Sequence, residues 1–171
     1  MKRVNIHEGI DSTLLILQNR LKAKPGFAEI QVVKHYGNLP LVECYAGQLN
    51  QVFMNILANA IDAIEEQRFQ AMDAGHQKTC GEITVSTQVK NSEWITVTIN
   101  DDGPGIPEAA LAKLFDPFYT TKKVGAGTGL GLSISYQIIV EQHGGQLNCI
   151  SAPGQGTQFI VDIPVRQGTK V

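Results

Sequence analysis

The sequence predicts a two-layer α/β sandwich in which helices cover one face of a mixed, mostly antiparallel sheet. Three observations carry that prediction. A long stretch at about 47–70 repeats its apolar residues at helical spacing. Two runs, near 83–89 and 95–99, alternate apolar and polar residues as half-buried strands do. Helical and strand patterns then interleave along a chain of 171 residues, the size of one domain, with no linker or repeat to divide it.

The elements follow in order. Residues 4–22 read as a helix, because Ile6, Ile10, Leu14, Leu17 and Leu21 recur at spacings of three and four, and Pro25-Gly26 ends it. Ile30, Val32 and Val33 mark a strand over 29–34, closed by Gly37-Asn38. The long helix at about 47–70 carries Val52, Phe53, Ile56, Leu57, Ala60, Ile61 and Ile64 as a broad core-facing band. Ile83, Val85 and Val89 share one strand face, Ile95, Val97 and Ile99 another, and KNSE between them is a hairpin turn. Pro107 opens a short helix over 108–114, and a helix over 130–142 turns Ile134, Ile138 and Ile139 inward until Gly144-Gly145 stops it. Strands near 146–151 and 158–164, joined by APGQGT, finish the chain.

Composition narrows the function. Lys plus Arg number 14 against 16 Asp plus Glu, a formal net charge of -2, which argues against a general nucleic-acid binder. With 43% hydrophobic and 18% charged residues the chain has material for a core and too little charge for disorder. No apolar run is long enough to span a bilayer, and MKRVNIHEGIDS lacks the apolar centre of a signal peptide. Cys44, Cys80 and Cys149 lie far apart without a CxxC, so reduced thiols in a cytoplasmic domain are expected.

Four clusters bear chemistry. Asn55 and Asn59 lie four apart, on one helix face that Gln48, Gln51 and Asp62 extend; an amide oxygen is a hard ligand for Mg²⁺ and its NH₂ can bond phosphate, though a solvated face would look the same. DDGPGIP, 101–107, follows a strand; Gly103 and Gly105 let the backbone turn tightly beside a ligand, and a carboxylate there could accept from the adenine amine where guanine offers a carbonyl. The plainer reading is an ordinary turn. LFDPFYTTKK, 114–123, is either a loop pinned by Phe115 and Phe118 or a lid whose Lys122 or Lys123 meets a phosphate. GAGTGLGLS, 125–133, exposes backbone N–H groups and runs into a helix start, which favours polyphosphate, with a flexible linker as the alternative. Its spacing is neither the P-loop nor the dinucleotide fingerprint.

These four clusters in this order resemble the N, G1, F and G2 boxes of the ATP-binding catalytic domain of sensor histidine kinases: NQVFMNILANAIDA, DDGPGIP, FDPFYTTK and GAGTGLGL. That domain has a Bergerat-type fold and belongs to the superfamily of gyrase, Hsp90 and MutL. The resemblance covers nearly the whole chain. It implies that Asn59 coordinates Mg²⁺ bridging the ATP phosphates, with Asn55 in support, and that Asp101 reads the adenine amine above Gly103 and Gly105. It implies further that Lys122 or Lys123 reaches the γ-phosphate and that Gly125, Gly127, Gly129 and Gly131 cradle the phosphates. The same boxes place Ile106, Phe115, Phe118, Thr121, Thr128 and Leu130 around the nucleotide. Asn55 stands where hydrolytic relatives carry a water-activating Glu, so slow ATP hydrolysis is expected, and Asp62 departs from the basic residue common in the family.

Also by resemblance, ATP donates its γ-phosphoryl to a histidine on a dimerisation domain outside this chain, and a response regulator receives it next. Residues 1–22 then correspond to the segment between the two domains of a larger kinase, with all 171 residues forming one catalytic domain. His7 is expected to face solvent rather than accept phosphate, and His143 to serve a helix C-terminus as a partly charged ring. A serine kinase acting on a sigma-factor partner, and a degenerate nucleotide- or partner-binding domain, are the alternatives. Residues 116–128 are expected to be the most mobile stretch.

Overall fold

A computed structural model describes residues 1–75, 80–119 and 130–168. Two short strands, β1 (Lys2–Val4) and β3 (Val42–Cys44), pair antiparallel at one end of the molecule. Between them lie α1 (Ile6–Ile16), α2 (Gln18–Leu21) and β2 (Ile30–Tyr36). The remaining elements are α3 (Ala46–Asp73), β4 (Gly81–Asn91), β5 (Trp94–Asp101), α4 (Glu108–Leu111), α5 (Gly131–Tyr136), a π-helical turn (Gln137–Gln142), β6 (Gln146–Ser151) and β7 (Thr157–Pro164). The main sheet runs β2-β4-β5-β7-β6. Only β2 and β4 pair parallel; the other neighbours are antiparallel, so the sheet is mixed and mostly antiparallel as the sequence predicts.

Strand alternation builds the core. Val85 lies opposite Ile99, Ile99 opposite Phe159 and Val97 opposite Val161, so these residues form a buried apolar patch on one sheet face. Against it lies α3, whose Val52, Phe53, Ile56, Leu57, Ala60, Ile61 and Ile64 are buried, each large side chain contributing about 1.5–3 kcal/mol. On α3 pack α1 and α5, and the π-helical turn rests on β6. The second layer is therefore all helix, and the opposite sheet face carries Thr84, Ser86, Thr98, Asn100 and Gln158. Helix α3 ends at Asp73, and beyond its cap Gly75, at φ +76°, donates its N–H to the Met72 carbonyl as the chain turns away.

The structure corrects several expectations. The first helix does not run from 4 to 22: Val4 is in a strand, Asn5 caps α1 by accepting from the His7 N–H, and the chain breaks at Leu17 before α2. Val89 is exposed, because the ladder shifts register between Val89 and Asn91 at the hairpin end. The helix after Pro107 stops at Leu111. The one expected over 130–142 changes from α to π at Gln137, with the His143 N–H bonded to the Ile138 carbonyl five residues back.

Of two histidines singled out in the sequence, one differs from expectation and the other does more than expected. His7 is half-buried: it stacks on Tyr36 at 4.1 Å between ring centres and meets Thr87 Oγ1 at 2.7 Å. Burial, opposed by the charge of Asp11, lowers its pKa. His143 is fully buried, with Nδ1 against the Ile138 carbonyl at 2.7 Å and Nε2 accepting from the Tyr45 N–H at 3.1 Å. His143 therefore serves the C-terminus of the π-helical turn, as expected, and through Nε2 also ties that turn to the start of α3.

Candidate nucleotide site

Helix α3 brings the predicted motifs together. Asn55 stands beside the helix start at 131: its Nδ2 donates to the Gly131 carbonyl at 3.0 Å and to Ser135 Oγ at 3.2 Å, and Ser135 Oγ donates to the same carbonyl at 2.8 Å. A Cβ on Gly131 would lie 3.5 Å from Asn55 Cγ, ordinary contact distance. Two turns along α3, Ala63 stands against Gly103, where an added Cβ would come within 3.1 Å of it. Asn59 is between them. The spacing from 55 to 63 is about 12 Å along the axis, enough for an extended ligand with one end at Asp101 and the other at Gly131.

Asp101 closes β5 and its carboxylate folds back to accept the Gly103 N–H at 2.9 Å. Burial pushes its pKa up to about 6; the Gly103 N–H works against that shift, and the neighbouring Asp102 charge adds to it. Asp101 is therefore a carboxylate held at the edge of the core, with the Gly103 N–H as its hydrogen-bond donor among the described residues and with capacity to accept from another. Cys149 on β6 feels the same carboxylate: burial first, then the Asp101 charge, pushes its thiol up to about 12. All three cysteines are free, as expected.

The loop after Asp101 is shaped by glycine. Gly105 has φ +78°, and a Cβ there would sit 2.0 Å from the Ala152 carbonyl oxygen. Sequence reasoning missed its support. Ile106 N–H donates to Ser151 Oγ at 2.8 Å, Ser151 in turn bonds the Gly156 carbonyl at 2.8 Å, and Gly156 itself (φ +72°) lies against the Asp101 carbonyl. The β6–β7 turn therefore braces the 101–107 loop, and its two glycines were the available signal. Gly105→Ala is expected to destabilise the domain by about 3 kcal/mol, combining a left-handed backbone with an overlap that only a backbone shift relieves, as a urea titration would show.

Phe115 packs beside the core with its ring 5.6 Å from Tyr136, whereas Phe118 is 73% exposed with φ +64° and pins nothing among the described residues. Leu130 is half-buried, and its carbonyl accepts from Ser133 Oγ and the Ile134 N–H. Thr121, Lys122, Lys123, Gly125, Gly127, Thr128 and Gly129 lie outside the described residues, as does most of the segment expected to be mobile. Asp62, the departure noted in the sequence, is bonded by Arg20 Nη2 at 2.5 Å, and the same nitrogen reaches Glu65 at 3.1 Å, so its charge is answered from α2.

Residues 45–167 match the family described as histidine kinase-, DNA gyrase B- and HSP90-like ATPase. The chain belongs to this family. Among curated relatives of the ATPase domain, sporulation kinase E of Bacillus subtilis is 35% identical over 151 residues, covering 88% of this chain and 18% of that protein. The sensory histidine kinase/phosphatase NtrB of Rhizobium meliloti is 35% identical over 169 residues, covering 96% of this chain and 42% of that protein. The chain thus spans less than half the length of either. The catalytic domain of histidine kinase ThkA superposes with a TM-score of 0.75 at 30% identity, covering 96% of this chain and 99% of that one. ThkA has also been solved in complex with its response regulator protein TrrA, a likeness of TM-score 0.71 at 27% identity over 96% of this chain and 42% of that one. The mixed five-stranded sheet with its helical layer is the fold of these histidine-kinase catalytic domains.

Within this ATPase fold the role of Asn55 becomes specific. Both donors of its amide are committed to α5, so it positions the helix that begins at Gly131. Asn55→Ala is expected to cost about 1–3 kcal/mol of stability, the range for stranding half-buried hydrogen-bonding groups, with the loss read from the urea midpoint.

Proposed function

We propose that this domain binds Mg-ATP and passes the γ-phosphoryl group to a histidine on a dimerisation domain outside the chain, as the catalytic part of a two-component sensor kinase. The observation that supports this reading best is the single face of α3 that joins Asp101 and Gly103 at one end to Asn55 and Gly131 at the other, with Asn59 between. Asp101 accepts from the adenine amine. Asn59 offers an amide oxygen of the hard kind magnesium takes, and magnesium there would neutralise phosphate charge. Among the described residues no group of three His, Cys, Asp or Glu forms a protein cage, which fits an ion held mainly by phosphate oxygens and one amide.

The residue one turn before Asn59 is an amide whose NH₂ is already engaged. It cannot take a proton from water, so hydrolysis is slow and the phosphoryl group waits for an imidazole nitrogen. That nitrogen attacks the γ-phosphorus, the bond to the bridging oxygen breaks, and ADP leaves. Lys122 or Lys123, and the glycines from 125 to 129, supply charge and N–H groups to the phosphates. The acceptor phosphohistidine then gives its phosphoryl group to an aspartate of a response regulator. No described helix is long and apolar enough to cross a membrane. The proposed use of ATP, not that absence, is what points to the cytoplasm.

Calorimetric titration with ATP and GTP, with and without Mg²⁺, tests the nucleotide assignment. ATP should bind and GTP should not, and Mg²⁺ should tighten ATP. If neither nucleotide binds, or both bind alike, the assignment is wrong.

A further inference from the structure

A fully buried imidazole needs its polar atoms answered, and backbone groups of two different elements answer those of His143. The Tyr45 N–H donates to Nε2 at 3.1 Å, and Nδ1 donates to the Ile138 carbonyl at 2.7 Å. Tyr45 is the residue that opens α3, and its own side chain makes no capping bond there. The imidazole therefore holds the first amide of the helix that carries Asn55 and Asn59.

The other end of this tie is a helical rod, α5 followed without a break by the π-helical turn. Its exit is seated on the sheet. The Gly145 N–H bonds the Ile139 carbonyl at 2.8 Å, and a Cβ on Gly145 would lie 2.3 Å from the Asp162 carbonyl oxygen of β7. At its entry the rod is bonded to α3 through Asn55 and the Gly131 carbonyl. Hydrogen bonds thus join the rod to α3 at two places, Tyr45 and Asn55, about 15 Å apart along the helix. Buried Ile138 and Ile139 also hold the rod, but apolar contact is non-directional and lets a helix slide or turn on its neighbour. Two separated hydrogen bonds fix both motions. Without the Tyr45 bond the rod pivots about Asn55, and Gly131 moves with it.

We propose that His143 is a positioning residue for the nucleotide site: through the Tyr45 N–H it sets where Gly131 stands relative to Asn55 and Asn59. Its effect on ATP rests on the Mg-ATP reading above; its effect on Gly131 does not.

Two substitutions at Tyr45, whose ring is half exposed, separate the N–H from the side chain. Tyr45→Ala keeps the N–H. Tyr45→Pro removes it at a position suited to proline, since φ is −87° and Cys44 before it is in a strand. Both lose the edge contact of the tyrosine ring with His143, so the hydrogen bond is what distinguishes them. His143→Gln is the conservative rescue, because its amide oxygen reaches the place of Nε2. His143→Asn is its opposite, with a shorter amide that meets the Ile138 carbonyl and not the Tyr45 N–H.

The nucleotide-free chain is followed by NMR at the Asn55 side-chain amide and the Gly131 amide. Mg-ATP affinity is measured by calorimetry at a temperature where circular dichroism shows each variant folded. Tyr45→Pro should move both NMR signals and weaken Mg-ATP about five- to tenfold, whereas Tyr45→Ala and His143→Gln stay within about twofold of wild type. His143→Asn should behave as Tyr45→Pro does, and replaces it in the comparison if the proline variant does not fold. A merely structural tie would lower the urea midpoint and leave the affinity of folded molecules unchanged. Equal affinities for Tyr45→Pro and Tyr45→Ala, or Asn55 and Gly131 signals alike in the two, would overturn the proposal. A wild type that binds no Mg-ATP would overturn the nucleotide reading instead, and the NMR signals would still decide whether His143 places Gly131.

Discussion

Asp101→Asn is expected to cost the domain about ten- to a hundredfold in affinity for ATP while raising the thermal midpoint of the nucleotide-free protein at pH 7.5. Both effects come from one carboxylate. Burial holds its folded pKa near 6, above the ordinary 3.8, so the ionised form is penalised in the folded state. Below about pH 4 both states are protonated and nothing is lost. As pH rises from about 4 to 6 the unfolded chain ionises first, and folding stability falls; above 6 the full penalty is present, roughly 2 kcal/mol once solvent screening is allowed for. Asparagine removes that charge and still accepts the Gly103 N–H, although more weakly. The expected gain is about 4–8 °C, at about 2–4 °C per kcal/mol for a domain of this size, less what the weaker Gly103 bond takes back.

The loss of affinity arises because an asparagine amide must either turn its NH₂ toward the adenine amine, donor against donor, or release Gly103. A hydrogen bond to a charged acceptor contributes about 1.5–3 kcal/mol, hence the range. The same NH₂ can meet a guanine carbonyl, so the ratio of ATP to GTP affinity should fall by more than the loss for ATP alone. Wild type should also bind adenine nucleotides less well as pH drops through 6, by a step absent from Asp101→Asn. An unchanged ATP-to-GTP ratio in the variant would remove Asp101 from base recognition.

What was legible in the sequence, and what was not, divides along a physical line. The pairing of Asn55 with Asn59, the glycines of 101–107 and the alternation through Ile95, Val97 and Ile99 are local patterns, and local geometry alone places each on its helix face, loop or strand. Strands β1 and β3 are three residues long, too short for alternation to register, and exist because Val4 and Val42 meet across the chain. The π-helical turn owes its extra residue to a buried imidazole that bridges 98 positions, from His143 to Tyr45. Ser151 braces Ile106 from 45 residues away, and Arg20 answers Asp62 across 42. Periodicity cannot reveal such partners, since nothing in the spacing around either residue points to the other. Local pattern pointed to Asn55, Asn59, Asp101 and Gly103 as candidates for the site. It did not show which residues hold them in place.

Asn59→Ala separates a magnesium ligand from a general nucleotide contact. If the amide oxygen acts through the ion, the substitution should lower affinity for ATP at least about tenfold with Mg²⁺ present and less than about twofold in EDTA, because only the first state uses the ligand. Phosphoryl transfer should fall further, by about a hundredfold or more, since charge on the transferring group grows more costly in the transition state than in the ground state. The urea midpoint is read beside the affinity to separate any loss of folding stability from loss of a ligand: Asn59 is half-buried on α3, and the tether to α5 belongs to Asn55. A urea midpoint close to wild type, together with a Mg²⁺-dependent loss, is the result that marks a ligand. Equal losses with and without Mg²⁺ would instead make Asn59 a direct contact to the nucleotide. The metal would then have to be held by phosphate oxygens and water alone.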